Sequence, residues 1–459
     1  MNIQPIRYVL LSIITLTFLM MGLGSNRLNA NSADSLSLTK SSVKTISYQE
    51  NTETFGRHLT FSQAIKQVLQ KNPELLASNW EIKAKDGIIQ QESLLPNPEI
   101  EIEMENFAGS AENKGFKQAE TTVQVSQSIW LGGKRKKKMQ AATLDKTLSY
   151  RDYDRKLAEL MFETKVRFVE TLYIQKKLEL RKEMIELSET FSQQIAVRIE
   201  AGRTSPAELT RATVALLKNI MALKQLEKEL SASKLRLAAL WGSTKPDFER
   251  VEGELEIFSS LPKLDVLEVR LSQNPSLIRL SAEIDYRKSL LRLEKSFKIP
   301  DPTITGGFRR FNESGSTAFT FNVSIPIPIL NRNQGSVKTA HYLLKKAESN
   351  HHALEIELAN ELKVRYEMLK ITYDNAMMLK MSILPKALET FKIISNGYEL
   401  GKFDYLNVLD ALRTQLEVRQ EYLQAISCYW NLMAGIEHLT GTDIKEIGFQ
   451  KNKEGGNDE

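Results

Sequence analysis

The sequence predicts a mostly α-helical protein with a small β part, in which long helices pack as a coiled coil and carry short strands, the whole written twice along one chain. Three observations lead there. Four motifs recur about 200 residues apart in the same order. Apolar residues fall at three and four spacing over stretches longer than an ordinary globular helix, as in Met184, Leu187, Phe191 and Ile195, and in Leu409, Leu412, Leu416, Leu423, Ile426, Trp430 and Met433. Between Pro98 and Trp130, and between Pro302 and Pro328, the period drops to two.

The repeat comes first because it sets the boundaries. Asn72-Pro73-Glu74-Leu75 recurs as Asn274-Pro275-Ser276-Leu277, each inside an amphipathic helix, and Leu95-Pro96-Asn97-Pro98 recurs as Ile299-Pro300-Asp301-Pro302 at a helix end. Val123 to Ile129 parallels Phe321 to Ile327, and the turn Gly202, Arg203, Thr204, Ser205 parallels Gly401, Lys402, Phe403, Asp404. One Asn-Pro pair means little, whereas four features in register indicate duplication. The repeats span 59–255 and 256–442, each reading short helix, strand, loop, strand, long helix, tight turn, short helix, with hairpins at 98–130 and 302–328.

Helix length gives the architecture. Gly133 to Glu200 is a helix about 100 Å long at 1.5 Å per residue, while Thr60 to Leu95 and Pro206 to Trp241 are each about 54 Å. Two short helices end to end match one long one. In the second copy Asn333 to Asn396 is long, and Leu264 to Ile299 and Phe403 to Leu439 are short. The expected product is a helical barrel wall about 100 Å tall, of continuous and broken helices side by side.

In the strands, Glu99, Glu101, Glu103 and Glu105 alternate with Ile100, Ile102 and Met104, and Thr320, Asn322 and Ser324 alternate with Phe319, Phe321, Val323, Ile325 and Ile327. Such runs suit strands that cross a membrane at a tilt, apolar toward lipid and polar toward a lumen. A soluble sheet with one buried face would show the same alternation. On the membrane reading, four strands per protomer are too few to close a barrel, and three copies would supply a transmembrane β-barrel of twelve.

The bulk composition is consistent with this and excludes several chemistries. Arg7, an apolar run from Tyr8 to Met21 and small residues up to Ala30 read as a signal peptide over 1–30, cleaved after Ala30. A membrane anchor is the competing reading, but the run falls short of the ~20 residues a spanning helix needs. Residues 31–58 read as a polar linker and 443–459 as a polar tail. Without the leader the charge is close to neutral, so global charge names no partner, nucleic acid included. The single cysteine, Cys428, forms no internal disulfide. His351 and His352 are neighbours on a helix and point to different sides, and His58, His341 and His438 are scattered. No nucleophile and base, phosphate loop, dinucleotide fingerprint or metal set is present as a motif, so the sequence implies no catalytic residue, no cofactor and no metal site.

The stretch Val125-Ser-Gln-Ser-Ile-Trp-Leu-Gly-Gly-Lys-Arg135 and its counterpart Val323-Ser-Ile-Pro-Ile-Pro-Ile-Leu-Asn-Arg-Asn-Gln-Gly335 resemble the paired strand-to-helix signatures of TolC-type outer-membrane efflux proteins, and within them the cobalt-zinc-cadmium branch. The resemblance runs from about Leu59 to Thr442. It implies a homotrimer with a twelve-stranded barrel in the outer membrane and a helical tunnel in the periplasm. The tunnel would dock on a periplasmic adaptor, the membrane fusion protein, and through it on an inner-membrane pump of the resistance-nodulation-division class. It also implies that adaptor hairpins contact the turns at Gly202, Arg203, Thr204, Ser205 and at Gly401, Lys402, Phe403, Asp404. Aligned on Gly401, the family's tunnel gate falls at Asn407 and Asp410, with Asp404 one turn earlier as a possible further acid.

For each of these residues a purely structural reading stands beside the functional one. Gly202 and Gly401 can end helices in the left-handed conformation, with Ser205 and Asp404 capping the next ones. Asn407 and Asp410 can belong to a solvated helix face. The barrel-lumen ladder Glu99, Glu101, Glu103, Glu105 would concentrate cations if it lines a pore, or be a wet wall partly neutralised by Lys117, Arg309 or Arg310. Lys134 to Lys138 can meet lipid phosphates or be a solvated helix start. The leading reading is an outer-membrane channel exporting heavy-metal cations. The same fold serving drug efflux or protein secretion, and a periplasmic coiled-coil scaffold or adaptor, are the alternatives.

Overall fold

The computed structural model describes residues 58–255 and 261–441. The expected leader and tail, and the expected linker up to residue 57, lie outside the described residues. The first repeat contains β1 (His58–Thr60), α1 (Phe61–Lys71), α2 (Pro73–Glu92), β2 (Glu99–Glu105), β3 (Glu120–Ser128), α3 (Lys134–Glu200), α4 (Pro206–Ala239) and β4 (Arg250–Glu252). The second contains α5 (Leu264–Arg270), α6 (Pro275–Ser296), β5 (Thr303–Phe311), β6 (Thr317–Ser324), α7 (Gln334–Met378), α8 (Leu384–Glu399) and α9 (Tyr405–Thr440). His58 therefore belongs to a strand and not to the linker, since β1 pairs in parallel with β4 through His58↔Arg250 and Thr60↔Glu252.

The long helix α3 runs unbroken for 67 residues, about 100 Å. Its counterpart passes from α7 through a five-residue π turn, Leu379–Ile383, into α8. Pro385 explains the difference. It has no N–H to give and its ring crowds the carbonyl four residues back, so the wider turn sits just before it.

The Asn-Pro motifs are not inside helices, as the sequence suggested, but break them. Pro fits the first turn of a new helix, where its missing N–H costs nothing, and the asparagine before it closes one helix and caps the next. Asn72 Oδ1 accepts from the N–H of Glu74 and Leu75 at 2.9 and 3.0 Å, and its Nδ2 donates to the Leu240 carbonyl at 2.7 Å. Asn274 repeats this with Ser276, Leu277 and the Leu439 carbonyl at 2.8, 3.3 and 2.9 Å. Both side chains are buried. A left-handed glycine then ends the partner helix in each repeat, Gly242 against Pro73 and Gly441 against Gln273 and Pro275. A Cβ on Gly441 would lie 2.8 Å from the Gln273 carbonyl oxygen, so the two chains meet too closely for any side chain there. Each pair of short helices is thus pinned at one joint.

Apolar clusters gather at these joints. Leu59, Val68, Leu237, Trp241, Phe248 and Val251 pack on Phe168 and Leu172 of α3, and Leu267, Leu362, Leu369, Tyr429, Met433 and Ile436 form the counterpart. Helices α2 and α6 end at Glu92 and Ser296, a few residues short of the expected positions, because the Pro-rich links beyond favour extended backbone.

From these helix ends the chain enters one four-stranded antiparallel sheet of order β2-β3-β5-β6. The two expected hairpins are joined by β3 pairing with β5, which leaves β2 and β6 as open edges. Strand β6 stops at Ser324 and does not run on through Ile325 and Ile327, since Pro326 and Pro328 cannot donate to a ladder.

Candidate channel surfaces on the sheet and at the helical tip

The register sorts the sheet into two faces. Glu99, Glu101, Glu103 and Glu105 stand opposite Ser126, Gln124, Thr122 and Glu120, and the same face continues through Thr305, Gly307 and Arg309 to Asn322, Thr320 and Ala318. Arg309 is its clamp. The guanidinium meets Glu105 at 3.0 Å and Glu120 at 2.9 Å and donates to Thr122 Oγ1 at 2.9 Å, while Gln124 donates to Glu101 at 2.7 Å. Glu99 and Glu103 have no ion pair among the described residues, so the acids of this face outnumber its one base. Gly307 lies where a Cβ would collide with the Val123 carbonyl, so the β3 and β5 backbones close in on the polar side.

The opposite face carries Ile100, Ile102, Met104, Val123, Val125, Phe308, Phe319, Phe321 and Val323. No helix covers its outer parts: Ile100 is 74% exposed, Ile102 70%, Phe319 96% and Phe321 76%. A soluble sheet would bury this side, and this one does not. Arg310 is on this face, so of the bases considered as neutralising the ladder, Arg309 is the one that does so and Arg310 does not.

The β2–β3 loop at the hairpin end is folded in its own right. Ala108 N–H donates to the Gly115 carbonyl at 2.8 Å and Gly109 N–H to Asn113 at 2.9 Å. Asn106, Ala108 and Ala111 have φ of 58°, 57° and 53°, a left-handed conformation that costs about 1–2 kcal/mol for an L-residue. Across this loop Phe107 and Phe116 stack at 5.8 Å, both exposed.

At the far end of the long helices the two predicted turns come together. Gly202 and Gly401 have φ of +67° and +75°, and the amides of Arg203 and Lys402 each reach back at 2.8 Å to the carbonyls of Arg198 and Gly397. These bonds satisfy the last helical carbonyls. Ser205 Oγ accepts from Ala207 N–H at 3.3 Å and Asp404 Oδ1 from Asn407 N–H at 3.0 Å, capping α4 and α9. A cluster of Phe191, Ile195, Ala212, Tyr398, Tyr405 and Val408 holds the tip together. Burial, with Tyr398 and Glu208 alongside, pushes the Tyr405 phenol up to about 12.

Some of these residues already have work to do. Phe403 folds its ring back over Gly397, where a Cβ would strike it, although 39% of the side chain is still exposed. Asn407 Nδ2 donates to Asp404 Oδ1 at 2.7 Å, so Asp404 caps α9 and also holds the Asn407 side chain. Asn407 and Asp410 are exposed on one side of α9. Arg203, Gly202, Gly401 and Lys402 are exposed and Thr204 is half-buried. Sequence reasoning missed Arg198, whose guanidinium lies 3.9 Å over the Tyr398 ring and donates to the carbonyls of Tyr398 and Glu399. Aligning the two turns on their glycines would have drawn attention to it, because Arg198 and Gly397 hold the same place.

The basic run after β3 is largely consumed internally. Lys134 is buried on Asp301 at 2.7 Å and the Ile299 carbonyl at 2.5 Å, Arg135 donates to the Ser93 carbonyl at 2.6 Å, and Lys138 meets Glu92 at 3.2 Å. These cations neutralise the carbonyl ends of α2 and α6, which relieves the dipole conflict of a basic helix start and takes them away from lipid. His351 and His352 also differ from expectation. Both reach Glu355, at 3.5 and 3.4 Å, because it lies four residues from one and three from the other. Among the described residues no group of three or more His, Cys, Asp or Glu is placed to hold a metal, and no helix is long and apolar enough to cross a membrane.

An uncovered apolar face backed by an acidic one, on a duplicated scaffold of long helices, has a family match. The outer membrane efflux protein pattern fits residues 64–243 and 266–442, one stretch in each repeat. The chain is an outer membrane efflux protein. As such it sits in the outer membrane with its helical part in the periplasm, and it is a channel and not an enzyme. This efflux protein is 29% identical to the cobalt-zinc-cadmium resistance protein CzcC of Cupriavidus metallidurans over 383 residues, covering 83% of this chain and 90% of the relative. It is 20% identical to the nickel and cobalt resistance protein CnrC of the same organism, over 65% of this chain and 70% of that one. Its fold is that of the outer membrane protein VceC of Vibrio cholerae, with a TM-score of 0.69 at 15% identity over 83% of this chain and 96% of the other.

Proposed function

We propose that this efflux protein is the outer-membrane part of a tripartite resistance-nodulation-division system and passively conducts heavy-metal cations to the exterior. The observation that carries the reading is the division of the sheet into an uncovered apolar face and a face whose acids exceed its single arginine. Closure of the open edges of β2 and β6 between copies gives a twelve-stranded barrel from three chains, lipid outside and carboxylates inside. Glu99, Glu101, Glu103 and Glu105 then raise the local concentration of cations without holding any one of them, as a conduit requires. The names of the CzcC and CnrC relatives support metals over drugs as cargo.

At the other end, the surface of Gly202, Arg203, Thr204, Ser205, Gly401, Lys402, Phe403 and Asp404 receives a periplasmic adaptor. Asn407 and Asp410 line the narrow part of the tunnel, where three copies of each would stand around the axis. One carboxylate per copy repels its equivalents less than two would, so this constriction opens against a smaller charge term than a doubly acidic one. The test is metal tolerance in a deletion strain. Loss of cobalt, zinc, cadmium or nickel tolerance, restored by the intact gene, is the expected result. Unchanged metal tolerance with raised drug sensitivity would transfer the protein to drug efflux.

A further inference from the structure

Arg309 and Arg310 are neighbours with opposite surroundings. Arg309 is spent on Glu105, Glu120 and Thr122 on the polar side. Arg310 points to the apolar side between Thr121 and Thr317, is exposed, and has no ion pair among the described residues. It stands at the hairpin end of the apolar band, one pleat beyond Phe308 and Phe319. A charge on a lipid-facing strand is tolerated only at the interface, which fixes this end of the band at headgroup depth. Lys117 is exposed close by. Its stretch is tied to the second hairpin, since Asn312 donates its side-chain amide to the Phe116 carbonyl at 3.1 Å and its backbone N–H to the Ala119 carbonyl at 3.0 Å. The exposed Phe107 and Phe116 stack adds aromatic surface at the same end, as interfacial belts do. The acids of the two loops, Glu112 and Glu313, are in the turns beyond the last paired residues.

We propose that this rim binds the phosphorylated headgroup of the outer-leaflet glycolipid, with Arg310 forking onto a phosphate and Lys117 adding a second cation. The occupant follows from continuity: whatever covers Phe319 and Phe321 along the band also meets Arg310 where the band ends, and in an outer membrane that molecule is a lipid whose head carries phosphate. The guanidinium presents two parallel N–H donors to such a group, and the phenyl pair lies against the acyl boundary. The proposal rests on the sheet crossing the outer membrane and adds which lipid chemistry it selects.

The experiment is native mass spectrometry of the full mature protein, extracted in detergent and offered bisphosphorylated lipid A or its dephosphorylated form. The wild type is expected to retain the phosphorylated form preferentially. Each cation removed in R310Q and K117Q should weaken that retention about fivefold, while K224Q, on an exposed lysine of helix α4, should not. The charge-preserving pair R310K and K117R should keep most of the preference, which separates loss of the site from loss of the fold. Equal retention of both lipids by a wild type that forms pores in planar bilayers would overturn the lipid proposal alone, whereas a wild type without pores would overturn the membrane placement. Displacement of the lipid by excess inorganic phosphate would mark a free-anion site and also overturn the proposal.

Discussion

The two turns at the helical tip share a backbone and differ in what they do. At the position five residues before the second residue of each turn, the first repeat has Arg198 and the second has Gly397, and the same carbonyl accepts the same 2.8 Å bond from Arg203 or Lys402. Arg198 reaches across to the carbonyls that end α8 and lies over Tyr398, so the first repeat holds the second. Gly397 does the reverse and makes room, in its case for Phe403 of its own turn. The side chains at the joints, Asn72 and Asn274, by contrast, make the same three bonds. Where the repeats agree they build the scaffold. Where they differ they distinguish one side of the tip from the other, which a docking or gating surface needs and a scaffold does not.

The joints should show the largest effects, and equal ones. Asn72→Ala and Asn274→Ala each remove a helix cap and leave a buried carbonyl without its donor, so each should cost about 2–4 kcal/mol of unfolding free energy. Denaturant titration in detergent measures both, and a silent Asn274→Ala would end the equivalence. At the tip the effects should become unequal. Arg198→Ala loses charge-assisted bonds and a ring contact, about 2–3 kcal/mol, which would appear as faster hydrogen exchange at the amides of 398–402 in the other repeat. Gly397→Ala should cost about 1–3 kcal/mol through collision with the Phe403 ring, and Phe403→Ala in the same chain should recover most of it. An additive pair would show that the ring does not lean on the glycine.

The smallest effect is one of pH. Tyr405 is held neutral up to about 12 in the folded tip, against about 10 in an unfolded chain. Its contribution is complete below pH 10 and is lost as pH rises from there through 12, because only the unfolded phenol ionises early in that window. Burial also raises Tyr153, Tyr173, Tyr286 and Tyr398, so absorbance titration should find several tyrosines late, and Tyr405→Phe should remove one from the late end of the curve without changing stability at neutral pH by more than a fraction of the joint effects.

Much of this molecule is legible in its sequence. Duplication, the 100 Å helices, the left-handed turns and the strand alternation depend on period and spacing, which a sequence carries directly. The Asn-Pro breaks have the sequence pattern of a helix interior because apolar spacing continues on both sides of them, and a proline in a first turn looks in sequence like one inside a helix. Gly242 and Gly441 were the missing sign, since a left-handed glycine near Pro73 or Pro275 is visible only as a long-range contact. The opposite fates of Arg309 and Arg310 depend on which strand lies alongside, and that register is tertiary. Lys134 to Lys138 looked available for phosphate because the carbonyls they meet, at Ser93 and Ile299, are far away in the chain.

The open edges of β2 and β6 belong to different repeats, so in the proposed ring every junction joins unlike partners, the leading edge of one copy to the trailing edge of the next. A chain with one edge spoiled could still enter such a ring by its good side and leave the circle unclosed. Co-expressed with the intact gene, it would poison assemblies out of proportion to its abundance, so edge lesions in this protein should be genetically dominant where lesions in its helices are recessive.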